Sequence, residues 1–273
     1  MLNQWRFDSP DWVVHPNLAP LHHHKVSYAE SWSGHAAVLA GWDPARLVLP
    51  AVASSGKPNL ADQEGAIRFW FNPFWSSASQ GGNGPEDTAC LFEIGAWSGK
   101  RSMAWWSLQV TPDGNQLVLA NVVNRDAPLI ALVTSVEWDV GQWHQISLTY
   151  SGAETRLFID GAMVAIGPGI SLLPTAPAGS EAGIALGSNT SGEQLAQGEF
   201  EELTTLPHIP SEQAIALHYQ GLAGRASLGP LTPAEEAAEL AMQAMLPQLV
   251  AASGAQPAGG AAMWPWLPAA AWN

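Results

Sequence analysis

Acidic side chains are concentrated in one short segment, Gly198–Leu203, which reads GEFEEL. Its pattern is that of a β-strand, so Glu199 and Glu201 are predicted to share one face and Glu202 to lie on the other. Two carboxylates on one face are able to exchange protons with a substrate or to bind a cation. Hydrogen-bonded carboxylates with a purely structural role are the alternative interpretation.

The sequence contains none of the short strings that identify common catalytic sites. It lacks the G-x-S-x-G nucleophile turn, the H-E-x-x-H zinc motif and the phosphate-binding P-loop. His144 follows Trp143 in a predicted strand, where we expect a packed and hydrogen-bonded histidine rather than a catalytic one. We therefore predict that the chain has no catalytic residues.

Tryptophan is the other residue type that points to ligand binding, and the chain has 14 of them. Sugar rings stack on exposed aromatic faces while neighbouring polar groups bind the hydroxyls. The best set of this kind is Trp75, in a long polar insertion, with Trp97, Lys100 and Arg101 on the next short loop. For Trp75 and Trp97 two interpretations stay open, which are contact with a ligand and packing in the core.

The clearest strand pattern of the chain lies in Val140–Ile166. In Gln142–Tyr150 alternate side chains are apolar, as in a half-buried strand. After a Ser151-Gly152 turn, Thr155–Ile159 predicts a second strand. Asp160-Gly161 then predicts a tight hairpin into a third strand, because a two-residue type I′ turn needs positive φ at both positions.

Several segments, taken in order, resemble the laminin G-like branch of the concanavalin A-like jelly rolls. The central ones are Gly141–Tyr150, with its W-H and T-Y pairs, and Leu157–Gly161, with its terminal D-G. The other matching segments are Gly34–Val38, Ile67–Pro73, Ile184–Ser188, Gly198–Leu203 and Ser211–Tyr219. The last of these resembles a short closing helix, which we predict over Ser211–Leu222 with Ser211 as its N-cap. The resemblance implies an all-β fold, a two-sheet antiparallel jelly-roll sandwich.

The resemblance also bears on catalysis and on metals. Glycosidases of this superfamily share an E-x-D-x-x-E strand, which is absent here. Laminin G-like domains often bind calcium at the sandwich rim, which would involve Asp8 or Asp11 with Glu201, at a position where relatives often carry aspartate. A solvated acidic surface without Ca²⁺ is the alternative, and the longer glutamate side chain favours it.

The resemblance ends near residue 222, so we predict a jelly-roll domain over 1–222 and a C-terminal helix and extended tail over 223–273. Thr232-Pro233 is a typical helix start and predicts a helix over Pro233–Met245. The Ala/Pro/Gly-rich remainder carries Trp264, Trp266 and Trp272. These residues are predicted to anchor the chain to neighbouring copies or to a partner, and a disordered linker is the alternative.

Composition excludes several classes of partner. The net charge of −14 argues against nucleic-acid backbones and anionic membranes. No signal peptide and no apolar stretch long enough to span a membrane are visible. The single cysteine, Cys90, excludes an internal disulfide and is expected to be a buried thiol. Because an animal laminin G-like domain usually has a disulfide, a bacterial or phage origin is expected.

Together these features predict a non-enzymatic recognition or accessory structural module. We expect it in a phage particle (virion) or an extracellular bacterial surface assembly, where its rim loops contact a surface glycan or protein. One alternative is a purely structural subunit that docks into an oligomer through its C-terminal tail. Another is a degenerate glycoside hydrolase.

Overall fold

The computed structural model describes residues 1–7, 18–98, 101–122, 129–173 and 181–227, without the side chains of residues 97, 98, 101 and 102. These residues form two antiparallel sheets and one α-helix, α1, Glu212–Ala226. None of the helices in the described ranges has the length and apolar character needed to cross a membrane. The predicted helix over Pro233–Met245 lies outside the described residues.

The first sheet has eight strands. They are β1 Asn3–Trp5, β3 Ser27–Ser31, β4 Gly34–Leu39, β6 Gly65–Pro73, β11 His144–Tyr150, β12 Glu154–Ile159, β13 Ala162–Pro168 and β15 Gly198–Leu206. Seven of them follow the order β13-β12-β11-β6-β15-β4-β3, and β1 pairs with β15.

The second sheet has seven strands. They are β2 His22–His24, β5 Arg46–Pro50, β7 Ala89–Ser98, β8 Arg101–Val110, β9 Gln116–Asn121, β10 Leu129–Ser135 and β14 Glu181–Leu186, in the order β10-β9-β8-β7-β14-β5-β2. The two sheets pack face to face, which confirms the predicted all-β jelly-roll sandwich.

The core between the sheets follows from the period-two patterns of their strands. The inward residues of the central strands β6 and β11 are Ile67, Phe69, Phe71, Ile146, Leu148 and Tyr150. Cys90 is fully buried as predicted, with its Sγ 3.3 Å from the Ser107 Oγ. The alternate residues of β6 and β11 face outward, and this outer face of the first sheet is where α1 packs.

Helix α1 begins as predicted and ends later. The Ser211 Oγ accepts a hydrogen bond from the Ala214 N–H at 3.2 Å, which is the expected N-cap. The helix continues past the predicted end at Leu222 because Ala223 and Ala226 pack against tryptophans of the outer face. Residue 222 therefore lies inside a helix, and the division of the chain at that residue stays a prediction.

The Asp160-Gly161 turn has the predicted conformation, with φ of 53° and 78°. The Asp160 Oδ1 accepts the Gln145 backbone N–H at 2.8 Å, and its Oδ2 lies 2.8 Å from the Nδ1 of His144. His144 is buried and stacks on Trp138 with a centroid distance of 4.9 Å. One carboxylate thus joins the hairpin to the start of β11.

Gly161 also brings the hairpin against the helix. A Cβ at this position would lie 3.1 Å from both the Ala216 Cα and the Tyr219 Cβ. The turn therefore needs glycine for its close approach as well as for its positive φ, and it supports α1 at Tyr219.

We expect the Asp160→Ala variant to lose about 2–4 kcal/mol of unfolding free energy, because it leaves the Gln145 N–H and the His144 ring nitrogen without their acceptor and places alanine at positive φ. Asp160→Asn should lose less, because asparagine tolerates this conformation and keeps an acceptor. Urea denaturation followed by circular dichroism measures both changes.

The matched control is Asp43→Ala, which removes an exposed ion pair with Lys25. Its unfolding free energy should stay close to that of the unsubstituted chain, because exposed pairs contribute little. Equal stability of the Asp43→Ala and Asp160→Ala variants would contradict the role assigned to Asp160.

Candidate ligand-binding pocket

A pocket with a volume of about 690 Å³ lies on the outer face of the first sheet, beside α1. Four aromatic residues line it, which are Trp32, Trp70, Trp143 and Tyr219. Its polar side chains include those of Ser31, Asn72, Glu30, Asp139 and Glu199. We call this site the aromatic pocket.

The strand register determines which side chains form the floor of the pocket. In β6 the core residue Phe71 lies between Trp70 and Asn72, so these two point outward together. Glu199 of β15 is the cross-strand partner of Asn72, and the Asn72 Nδ2 donates to the Glu199 Oε2 at 2.9 Å. The amide and the carboxylate are therefore held side by side at one edge of the pocket.

The turn between β3 and β4 supplies another part of the lining. Trp32 is in this turn, and the next residue, Ser33, donates from its Oγ to Glu201 of β15. Arg225 of α1 donates from its Nε to the Trp32 carbonyl oxygen at 3.2 Å. The turn is thus fixed to a strand of the sheet and to the helix.

The aromatic rings of the pocket contact one another. Trp32 meets Trp70 edge to face at a centroid distance of 5.4 Å and Trp143 at 6.4 Å. Trp70 stacks on Tyr219 at 5.8 Å. Trp32 and Trp70 are 1% exposed, whereas Trp143 and Tyr219 are half-buried and offer ring surface to the pocket.

Four polar atoms of lining residues are buried and have no hydrogen-bond partner among the described residues. They are the Ser31 Oγ, the Trp32 Nε1, the Trp70 Nε1 and the Asn72 Oδ1. An unsatisfied buried polar group costs about 1–3 kcal/mol, and four such atoms belong to residues that line this one pocket.

The charged side chains of the pocket are all acidic. Glu30, Asp139 and Glu199 line it, and no lysine, arginine or histidine occurs among the described lining residues. Burial raises the pKa of Glu199, and the hydrogen bond from Asn72 opposes this shift. Glu199 is therefore a lining carboxylate whose charged form is penalised by burial.

A second group of buried polar residues holds the helix to the sheet. The Gln145 Nε2 lies 3.0 Å from the Nδ1 of His218 on α1. Burial, and then the nearby Arg68, lower the pKa of His218 to about 3. Burial also lowers the pKa of Arg68 to about 10, against the opposing effect of Glu202. The sheet thus meets α1 through a neutral histidine.

The prediction that Glu202 faces away from Glu199 and Glu201 is wrong. Phe200 and Leu203 both belong to the core, so Glu201 and Glu202 between them lie outside it. The pairing of β15 with β6 shifts between Glu201 and Thr204, which marks a β-bulge. The extra residue of the bulge breaks the period of two and keeps all three glutamates off the core.

Of the two interpretations of Trp75, contact with a ligand and packing in the core, the structure supports packing in the core. Trp75 is 6% exposed, packs against Phe71 and Trp138, and donates from its Nε1 to the Ala196 carbonyl at 3.1 Å. The polar insertion thus folds its tryptophan into the core. Trp97 lies in β7 and Arg101 in the adjacent β8 rather than in the predicted short loop, and their side chains, like the whole of Lys100, lie outside the described residues.

The residues of the predicted calcium site are not brought together by the described parts of the chain. Glu201 is fully buried and accepts a hydrogen bond from Ser33, while Asp8 and Asp11 lie outside the described residues. Within the described ranges, no group of three or more metal-ligating side chains occurs. The calcium site stays a prediction, as do the anchors Trp264, Trp266 and Trp272, which also lie outside the described residues.

Sequence reasoning missed the aromatic pocket, although part of the signal was present. Trp70 and Trp143 occupy outward positions of strands whose alternate residues were expected in the core. A large apolar side chain at such a position predicts that something covers it. The covering element, α1, was predicted as a helix but not placed on this face.

The sequence profile described as the Concanavalin A-like lectin/glucanases superfamily matches residues 50–216. No curated protein has a sequence that matches the chain. Among solved structures, domain 4 of AbnA, a GH43 extracellular arabinanase from Geobacillus stearothermophilus in complex with arabinotriose, is 15% identical with a TM-score of 0.51. That alignment covers 79% of this chain and 96% of that domain.

Two further structures are similar at lower scores. The Trypanosoma rangeli sialidase in complex with the inhibitor DANA is 13% identical, with a TM-score of 0.46 and coverage of 71% of this chain and 29% of the sialidase. The CBM40 of the Ruminococcus gnavus IT-sialidase, bound to α2,3 sialyllactose, is 12% identical, with a TM-score of 0.43. That alignment covers 58% of this chain and 83% of the CBM40 chain. At these identities the similarity concerns the fold alone.

The buried His218 makes stability depend on pH. Its pKa is lower in the folded chain than in the unfolded chain, so the unfolded chain binds more protons as the pH falls below about 6.5. The unfolding free energy that depends on neutral His218 is therefore retained above about pH 6.5 and lost as the pH falls below that value. We expect a loss of about 1–3 kcal/mol between about pH 6.5 and about pH 4.5.

Urea denaturation at several pH values measures this slope. His218→Gln should flatten it, because glutamine does not titrate, whereas His208→Gln should leave it unchanged, because His208 is exposed. The raised pKa of Glu199 acts in the opposite direction in all three chains, so the comparison isolates His218. An unchanged slope in His218→Gln would contradict the assignment.

Proposed function

We propose that this chain, which belongs to the concanavalin A-like lectin/glucanases superfamily, is a non-catalytic carbohydrate-binding module whose aromatic pocket holds the sugar. One observation carries the proposal. Four buried polar atoms that lack partners among the described residues belong to side chains that line a pocket rich in aromatic rings. Sugars combine hydroxyl groups with apolar ring faces, which is the chemistry that such a pocket complements.

The hydrogen-bonding groups of the pocket match hydroxyls. The indole N–H groups of Trp32 and Trp70 are donors, whereas the Asn72 Oδ1 and the Glu199 carboxylate are acceptors. A hydroxyl group donates one bond and accepts two, so a sugar is able to serve both kinds of group. A bond to the Trp32 Nε1, the Trp70 Nε1 or the Asn72 Oδ1 would supply a partner to a buried atom that has none among the described residues.

The size and the walls of the pocket also fit. A volume of about 690 Å³ lies within the range of roughly 300–1,000 Å³ that is usual for small-molecule sites. The half-buried Trp143 and Tyr219 provide aromatic surface for stacking. Domain 4 of the arabinanase, in complex with arabinotriose, shows that a protein with this fold binds a sugar.

The biological setting is part of the proposal. An accessory role in a phage particle or a bacterial surface assembly is supported by the absence of catalytic strings and by the tryptophan-rich tail. Attachment through the tail, with the pocket engaging a surface glycan, would combine the two roles that the sequence suggests.

A glycoside hydrolase is the second candidate, because Glu199 has one property of a general acid. Its pKa is raised by burial, and Glu30 and Asp139 provide further carboxylates in the same pocket. Hydrolysis of any member of a β-glucan and arabinan panel that is lost in Glu199→Gln would favour this candidate. Binding without hydrolysis favours the binding module.

We expect Trp143→Ala and Tyr219→Ala each to weaken binding of oligosaccharides by about tenfold or more, because each removes a stacking surface of the pocket. A glycan array identifies the ligands, and isothermal titration calorimetry with the best oligosaccharide gives the affinities. Thermal melting of each variant separates loss of the site from loss of the fold.

Trp42→Ala is the matched control, because Trp42 is 92% exposed and does not line the pocket. Its affinity should equal that of the unsubstituted chain. If the Trp42 variant loses binding while the Trp143 and Tyr219 variants keep it, the sugar binds elsewhere and the assignment of the pocket is wrong.

A further inference from the structure

We propose that the sugar preferred by the aromatic pocket is an amino sugar with a free ammonium group, as in oligosaccharides of glucosamine. This inference rests on the proposed function and names the ligand class for the same site. It follows from the charges around the pocket, the nature of its walls and the buried acceptors that have no partner among the described residues.

The charges of the lining residues favour a cation. Glu30 of β3, Asp139 of the turn before β11 and Glu199 of β15 contribute three carboxylates. Arg225 is the nearest cation of α1, and its Nε is engaged by the Trp32 carbonyl rather than lining the pocket. An anionic sugar would therefore meet repulsion on entry, and a cationic one attraction.

The aromatic walls strengthen this preference. The negative faces of indole and phenol rings attract ammonium groups, and tryptophan does so best. Trp143 and Tyr219 offer ring surface to the pocket, and the buried Trp32 and Trp70 join them in one connected aromatic group. The ring faces attract an ammonium group through their π electrons, and the carboxylates attract it through their charge. A site with both groups therefore attracts it more strongly than a site with either alone.

Two buried acceptors complete the match. The Ser31 Oγ and the Asn72 Oδ1 have no hydrogen-bond partner among the described residues, and their side chains are 4% and 9% exposed. An ammonium group carries three donors, so it is able to bond to an acceptor while its charge faces a carboxylate. A hydroxyl at the same place has one donor and no charge.

Binding of an ammonium group in this pocket is coupled to the protonation of Glu199. Burial raises its pKa, so its charge is costly in the empty pocket, and a bound ammonium group lowers that cost. The other groups that surround the pocket are Glu30, Asp139, Tyr219 and Arg225, while Glu201 lies on the same strand. Binding should therefore release protons as the pH approaches the pKa of Glu199, and affinity should fall as this group becomes protonated.

The test titrates the full chain with three matched oligosaccharides in a calorimeter at about pH 6.5, where an amino group is protonated. They are the tetrasaccharides of glucosamine, N-acetylglucosamine and glucose, of which only the first is cationic. Tetramethylammonium chloride is the fourth probe and reports binding of an ammonium group without a sugar. We expect the glucosamine tetrasaccharide to bind at least about tenfold tighter than the neutral ones.

Glu199→Gln should remove most of that preference, so that the affinities for the cationic and the neutral tetrasaccharides become similar, because glutamine retains the shape and loses the charge. Glu181→Gln, which removes a carboxylate from the second sheet, should keep the preference. If Glu199→Gln does not fold, the unsubstituted chain still provides the test. Its preference for glucosamine should shrink as the pH is lowered, with proton release seen by repeating the titration in buffers of different ionisation enthalpy.

The outcomes separate the two proposals. Equal or weaker binding of glucosamine, with measurable binding of a neutral sugar, overturns the amino-sugar assignment and leaves the carbohydrate-binding function standing. No binding of any oligosaccharide overturns both. Binding of tetramethylammonium as tight as that of the glucosamine tetrasaccharide would also overturn the assignment, because the site would then recognise an ammonium group without the sugar.

Discussion

The burial of Trp70 between the first sheet and helix α1 is the interaction on which the rest of the site depends. Trp70 is an outward residue of a central strand, so without the helix its large apolar surface would face water. Tyr219 stacks on the ring, and Trp32 meets it edge on. Because these contacts fix both α1 and the turn between β3 and β4, they also form the walls of the pocket.

The side chains around this interaction include buried polar groups, which lower the unfolding free energy of the chain. Such a cost favours a functional role for this part of the fold. The same helix places its own His218 against Gln145 and near Arg68, and burial keeps His218 neutral there. At the pocket itself, Trp32 and Trp70 keep buried indole N–H groups without partners among the described residues. Apolar side chains at these places would give a more stable fold, and departures of this kind are expected at functional sites.

The fold was predictable because period-two patterns and turn residues are local signals. Asp160-Gly161 gave the hairpin, and the profile match confirms the laminin G-like resemblance. The site was less predictable because it depends on contacts between distant segments. A bulge at Glu202 and the folding of Trp75 into the core are consequences of tertiary packing. The placement of α1 over Trp70 likewise joins segments that no local pattern connects.

The most direct test of the account follows the indole N–H signals by NMR while an oligosaccharide is added. Trp5, Trp75 and Trp106 already donate to the carbonyls of Leu18, Ala196 and Ser171. The chemical shifts of these three indole N–H groups should not change when the sugar binds. Those of Trp32 and Trp70 should change, because their N–H groups gain a hydrogen-bond acceptor. Unmoved Trp32 and Trp70 signals at a sugar concentration that saturates binding would show that the pocket is not the binding site.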